Sequence, residues 1–180
     1  RHGPIRLLIV GGSLGAQALN QVVPAAMVHM TPQQRPQLWH QCGAAHLDST
    51  RKAYAELQVE GRVCAYIDNM AEAYGWADLV LCRAGALTVS ELSSVGVAAI
   101  LVPYPFAVDD HQSANARILV AVGSAQMVQQ QQLTAGHLAT LLGGELSQRS
   151  RLMAMAQRAR QCAHPQATQA VVDICREVIY

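Results

Sequence analysis

No acidic side chain occurs before Asp48 in this chain. A dinucleotide-binding fold needs a carboxylate about 20 residues after its glycine turn, at the end of the second strand, to hold the ribose hydroxyls. The stretch that would form that strand, Gln37-Leu38-Trp39-His40-Gln41, ends in nothing that could do so. Aromatic residues make up only 4% of the chain and the net charge is +1, with no block of basic residues. Base stacking and phosphate-backbone binding both lack material, so nucleic acid is a poor partner. The cysteines, Cys42, Cys64, Cys82, Cys162 and Cys175, are odd in number and contain no C-x-x-C pair. They predict reduced core thiols of a cytoplasmic protein, neither a disulfide framework nor a zinc site. There is no D-x-D, H-E-x-x-H or G-x-S-x-G, so a metal-dependent transferase, a zincin and a serine hydrolase are without their parts. No apolar run reaches the length of a membrane span.

What the chain does have is 180 residues, 51% hydrophobic and 14% charged, enough for one domain with a substantial core. It opens with Arg1-His2-Gly3-Pro4 and enters a strand almost at once without a signal or transit sequence, as expected of a domain cut from a longer chain. Short apolar runs near 5–10, 37–41, 62–66, 78–82, 98–102 and 125–129 alternate with amphipathic stretches near 16–29, 46–57, 70–76, 86–95, 110–121 and 134–142. Repeated strand–helix units of this kind predict an α/β fold, a Rossmann-like parallel sheet with helices on both faces. Pro24 is expected to kink or divide the first helix, and Gly96 and Gly123 stand where helix C-caps belong. From 147 to 180 the pattern is helical without a strand and broken at Pro165, which predicts two packed terminal helices. The glutamine run 129–132 reads as a polar loop.

In an open parallel sheet ligands collect at the carboxyl ends of the strands. The first such loop is Gly11-Gly12-Ser13-Leu14-Gly15-Ala16, which runs from an apolar strand straight into a helix. The amides of a helix's first turn have no intrahelical partner and its dipole favours negative charge, so a phosphate group is the expected ligand. The spacing is neither G-x-G-x-x-G nor that of a P-loop, and no lysine follows. A second glycine turn, Arg83-Ala84-Gly85-Ala86-Leu87-Thr88-Val89-Ser90-Glu91, offers a second anion site, and two such sites suit a diphosphate. Glu91 has two readings here. Thr88-x-x-Glu91 fits a capping box, and a carboxylate at that place also fits a ribose diol. After the third strand, Tyr66-Ile67-Asp68-Asn69-Met70 could offer main-chain groups to the edge of a base, although Asp68 and Asn69 are equally good N-caps. After the fifth strand, a loop stiffened by Pro103 and Pro105 leads to His111, Gln112 and Asn115 along one helix face, and carboxamides suit sugar hydroxyls because they both donate and accept.

Together, Gly11 to Ala16 with Asn20, Tyr66 to Tyr74, Cys82 to Glu91, and Val102 to Phe106 through Asp110-His111-Gln112 resemble the MurG family of bacterial N-acetylglucosaminyltransferases. The resemblance is to the carboxyl-terminal half of a two-domain GT-B glycosyltransferase and covers essentially the whole chain. It implies a donor site for UDP-N-acetylglucosamine (UDP-GlcNAc). The main chain of Ile67 would meet uracil, with Met70 packed nearby. Ser13 and the amides around Gly12 and Ala86-Leu87-Thr88 would surround the diphosphate, and Gly15, Asn20 and Arg83 would also belong to the donor site. Glu91 would bind the ribose, and His111, Gln112 and Asn115 would line the sugar. It also implies inverting transfer to lipid I, giving lipid II of the cell wall, without a metal or other cofactor. The acceptor site and general base would lie in an amino-terminal half, and the full-length enzyme would sit peripherally on the cytoplasmic face of the bacterial inner membrane. The catalytic subunit of the eukaryotic two-chain GlcNAc transferase resembles the same half, UDP-GlcNAc 2-epimerase shares the fold but needs acidic catalytic groups not seen here, and a nucleotide-sugar sensor without catalysis is a further alternative.

Overall fold

The computed structural model describes residues 2–12 and 15–179, with the side chains of Val108 and Ile179 left aside. Ser13 and Leu14, expected at the first glycine turn, therefore lie outside the described residues. Six parallel strands, β1 (Arg6–Val10), β2 (Gln37–Gln41), β3 (Arg62–Cys64), β4 (Leu79–Cys82), β5 (Ala98–Leu101) and β6 (Ala125–Met127), form one sheet in the order β3-β2-β1-β4-β5-β6. The strand order reverses between β1 and β4. That is the crevice where a doubly wound sheet binds ligands.

The strands are near-continuous hydrophobic runs because both faces are covered. Leu7, Ile9, Leu79, Leu81 and Ile100 point into one core with α1 (Gln17–Val28), α6 (Ala135–Gly143) and α7 (Arg149–Gln161). Leu8, Val80, Cys82, Ala99 and Leu101 point into the other, against α3 (Met70–Trp76), α4 (Ala86–Val95) and α5 (His111–Ala121). The remaining helix of the sheet region, α2 (Leu47–Glu56), contributes Tyr54 to the first core. No helix among the described residues is long and apolar enough to cross a membrane.

Three expectations are corrected. Pro24 does not divide α1, which runs on past it; the ring is buried, and the Asn20 carbonyl goes without the amide that would have bonded it. Of the two terminal helices only α7 packs, burying Leu152, Met155 and Ala159, whereas α8 (Ala167–Ile179) leaves Val171, Ile174 and Val178 exposed. Cys175, on α8, is accordingly exposed, while Cys42 and Cys82 are buried and all five thiols are free. Gly96 and Gly123 do end helices in the left-handed region, with φ of 72° and 68°.

Candidate functional site

At the carboxyl edge of the sheet a cavity of about 840 Å³ is walled by Gly11, Gly12, Gly15, Ala16, Gln17 and Ala18 on one side and Arg83, Tyr104, Phe106, Gln112 and Gln130 on the other. Its first wall is the start of α1. The N-cap position is Ala16, which has no capping group, and the first amide with a helical partner is that of Asn20. The amides of Gln17, Ala18 and Leu19 precede it, and the first turn carries no acidic residue. Gly15 is required sterically as well as conformationally. Its φ is 76°, and a Cβ there would overlap the carbonyl oxygen of Cys42.

Beneath this turn lies a buried polar chain. The Tyr54 hydroxyl meets His40 Nδ1 at 2.9 Å, His40 Nε2 meets Asn20 Oδ1 at 3.0 Å, and Asn20 Nδ2 donates to the Cys42 carbonyl at 3.0 Å. Because Asn20 must donate to a carbonyl through Nδ2, its Oδ1 accepts, which places the imidazole proton on Nε2 and lets the Tyr54 hydroxyl donate to Nδ1. Burial lowers the His40 pKa to about 4, so the ring is neutral at pH 7. Burial likewise pushes the Tyr54 phenol up. Asn20 thus corrects the expectation of a ligand contact. It is 5% exposed with both ends of its amide engaged, and it holds Cys42 against the glycine turn instead.

The second helix start is α4, with Gly85 as its N-cap residue and again no side-chain cap. Val89 is the first residue to donate within the helix, leaving the amides of Ala86, Leu87 and Thr88 ahead of it. Thr88 is therefore in the first turn rather than at the cap, and the capping box is not formed. Glu91 accepts from the Tyr74 hydroxyl at 2.8 Å, and burial, followed by this bond, raises the Tyr74 pKa. By contrast, α3 and α6 are capped, by Asn69 and Thr134.

The loop after β4 is held from outside. Gln112 Oε1 accepts from Ala84 N at 3.3 Å and from Tyr104 N at 2.9 Å, while Asn115 Nδ2 donates to the Ala84 carbonyl at 3.1 Å. Both carboxamides expected on the sugar are thus spent largely on main chain; Asn115 lies outside the cavity wall, and Gln112 remains in it. Arg83 Nη1 donates to the Val102 and Pro103 carbonyls and Nη2 to Gln130 Oε1 at 2.6 Å, with the guanidinium 5.4 Å from the Tyr104 ring. Burial lowers its pKa from the ordinary guanidinium value.

Ile67, Met70, Ala86, Leu87, Thr88, Glu91 and His111 lie on the open rim beyond the cavity, after β3, β4 and β5. The Ile67 side chain is buried, and no hydrogen bond among the described residues uses its main chain. His111 is exposed at the start of α5, after Asp109 and Asp110, which both occupy the left-handed region at φ near 50°. Sequence reasoning missed His46 and Gln21 in the cavity wall, Gln130 as the partner of Arg83, and Gln41 behind the first turn. The available signal was positional: Gln41, His46 and Gln130 follow or end β2 and β6, whose carboxyl ends face the same crevice.

Comparison with known proteins concerns the family and the fold. Residues 6–173 match the glycosyltransferase family 28 C-terminal domain. The UDP-N-acetylglucosamine--N-acetylmuramyl-(pentapeptide) pyrophosphoryl-undecaprenol N-acetylglucosamine transferase of Nitrosospira multiformis is 54% identical over 99% of this chain and 50% of its own length. The crystal structure of Acinetobacter baumannii MurG superimposes with a TM-score of 0.91 at 45% identity, over 98% of this chain and 51% of that one. A UDP-GlcNAc 2-epimerase from Neisseria meningitidis, bound to UDP-GlcNAc, shares the fold at a TM-score of 0.64 and 11% identity. The chain spans about half the length of the curated relatives it matches. It belongs to glycosyltransferase family 28, whose C-terminal domain it carries, and within that family to MurG.

Proposed function

We propose that this chain is the UDP-GlcNAc-binding half of the N-acetylglucosaminyltransferase that converts lipid I to lipid II in peptidoglycan synthesis. The observation that carries this reading is the pair of uncapped helix starts, α1 and α4, flanking the point where strand order reverses. Main-chain amides there are aimed where a diphosphate would lie, with the guanidinium of Arg83 in the wall between them. The name of the Nitrosospira relative supports the same donor.

In this reading uracil pairs with the main chain of Ile67 beside Met70, and Glu91, oriented by Tyr74, accepts from the ribose diol. Ser13 and the amides around Gly12 meet the diphosphate, and Gly15 allows the turn. The free nitrogen of Gln112, with His111, faces the sugar. Transfer is an inverting displacement in which UDP leaves. Its developing charge is stabilised by helix-start amides and by Arg83, an electrostatic role that asks for no divalent metal or other cofactor. The acceptor proton still needs a general base. Both base and lipid I site belong to the amino-terminal half of the longer enzyme, which meets its lipid-linked acceptor at the cytoplasmic face of the bacterial inner membrane. The chain alone binds donor without turning it over.

Calorimetry in EDTA tests this. UDP-GlcNAc should bind more tightly than UDP-GalNAc, UDP-glucose, TDP-sugars or NAD, with the same affinity when magnesium replaces EDTA. Preference for NAD, or loss of binding without magnesium, would contradict it.

A further inference from the structure

Gln41 is the last residue of β2 and is 3% exposed. Its carboxamide lies between two loops of the site. Oε1 accepts the Gly12 amide at 3.0 Å, and Nε2 donates to the Gly12 carbonyl at 2.9 Å and to the Ala65 carbonyl at 2.9 Å. Its main-chain carbonyl also takes the Gly11 amide at 3.1 Å. Both Nε2 hydrogens and one oxygen lone pair are thereby committed, which no other side chain of this size can imitate. Gly12, at φ 80°, lines the cavity, and among the described residues other than its chain neighbours none comes within 4 Å of where a Cβ would stand. On its inner side it is held by Gln41. Ala65, at the far end of the same planar group, is two residues before Ile67.

We infer that Gln41 is a positioning residue that couples the base-binding loop, 65–67, to the start of the diphosphate turn at Gly11 and Gly12. A carboxamide is rigid and planar, so a shift of the Ala65 carbonyl as a base seats beside it rotates the group that sets Gly12. A nucleoside bound on the rim thereby tightens the turn's hold on phosphate, and by linkage the reverse holds as well. The inference rests on the donor-site reading above.

The test compares wild-type chain with Gln41→Leu and Gln41→Glu. Gln41→Glu keeps the shape and the acceptor but loses both donors. Uridine affinity is measured by calorimetry with and without saturating inorganic pyrophosphate, alongside UDP affinity. In wild type, pyrophosphate should tighten uridine roughly ten-fold, an ordinary coupling strength. In both variants this enhancement should vanish and UDP should weaken by a similar factor, while uridine alone binds nearly as before. A purely structural glutamine would lower the unfolding temperature and leave the enhancement intact in the folded variants, and that result overturns the inference; so does a wild type that binds both ligands independently. Should Gln41→Leu fail to fold, Gln41→Glu decides between these outcomes. A wild type that binds neither uridine nor pyrophosphate overturns the donor-site reading itself, and this inference with it.

Discussion

At Gly15 the turn after β1 is pressed main chain on main chain, with the Gln41 carboxamide behind Gly12, whereas the turn after β4 is held by side chains reaching in from α5 and from Gln130. In the first, Gly15 lies against the Cys42 carbonyl, which Asn20 and His40 hold from below. In the second, Gln112 and Asn115 grip both main-chain groups of Ala84, and Gly85 has ordinary dihedrals with only Thr88 Oγ1, at 3.7 Å, near its missing Cβ. Two uncapped helix starts on one edge of the sheet are thus positioned by unlike means. Gly15 should tolerate no added atom, whereas Gly85 should tolerate one.

The largest expected difference follows directly. Gly15→Ala should cost about 3 kcal/mol or more in urea unfolding, from left-handed backbone strain and a clash with fixed main chain. A cost under about 1 kcal/mol would show that the first turn gives way as readily as the second.

The buried chain beneath the first turn adds a pH signature that the second turn lacks. His40 has its folded pKa lowered from 6.5 to about 4, so the unfolded state binds the extra proton between those values. Stability is complete above pH 6.5 and falls as pH drops towards 4, by about 2 to 3 kcal/mol at pH 4.5. The His40→Gln variant should lack this component. Equal acid sensitivity in the two proteins would remove His40 from the account.

At the second turn the effects should appear in binding. Glu91→Ala should weaken UDP-GlcNAc by about 1–3 kcal/mol, the cost of an unpaired polar group, with little loss of fold. Unchanged affinity with lost stability would make Glu91 only the partner of Tyr74. The smallest effect belongs to Gly85→Ala, within about 0.5 kcal/mol in stability.

The sheet, its helices and both glycine turns were legible in the sequence because each rests on local chemistry: apolar period, helix start, and backbone that only glycine tolerates. What stayed hidden depends on partners distant along the chain. Asn20 looks like a ligand contact because it sits near a helix start, but its partner His40 is 20 residues away, on β2. Gln112 and Asn115 were placed at the right edge of the sheet, yet no local pattern shows that Ala84 uses their amides first. Gln130 was masked by its neighbours, since four glutamines in a row read as solvated loop although one of them reaches Arg83. The Thr88–Glu91 spacing fitted a capping box one turn too late, because Gly85 takes the cap position. The apolar face of α8 implied packing that the described residues do not supply.

In the proposed function an anion is held by main-chain amides at the starts of α1 and α4. Amide chemical shifts followed by nuclear magnetic resonance during a UDP titration test it most directly. The amides of Gln17 and Ala18 and those of Ala86, Leu87 and Thr88 should move together and saturate at one affinity, in EDTA as in magnesium. Saturable UDP binding that leaves both groups of amides unmoved would show that these helix starts do not hold the diphosphate.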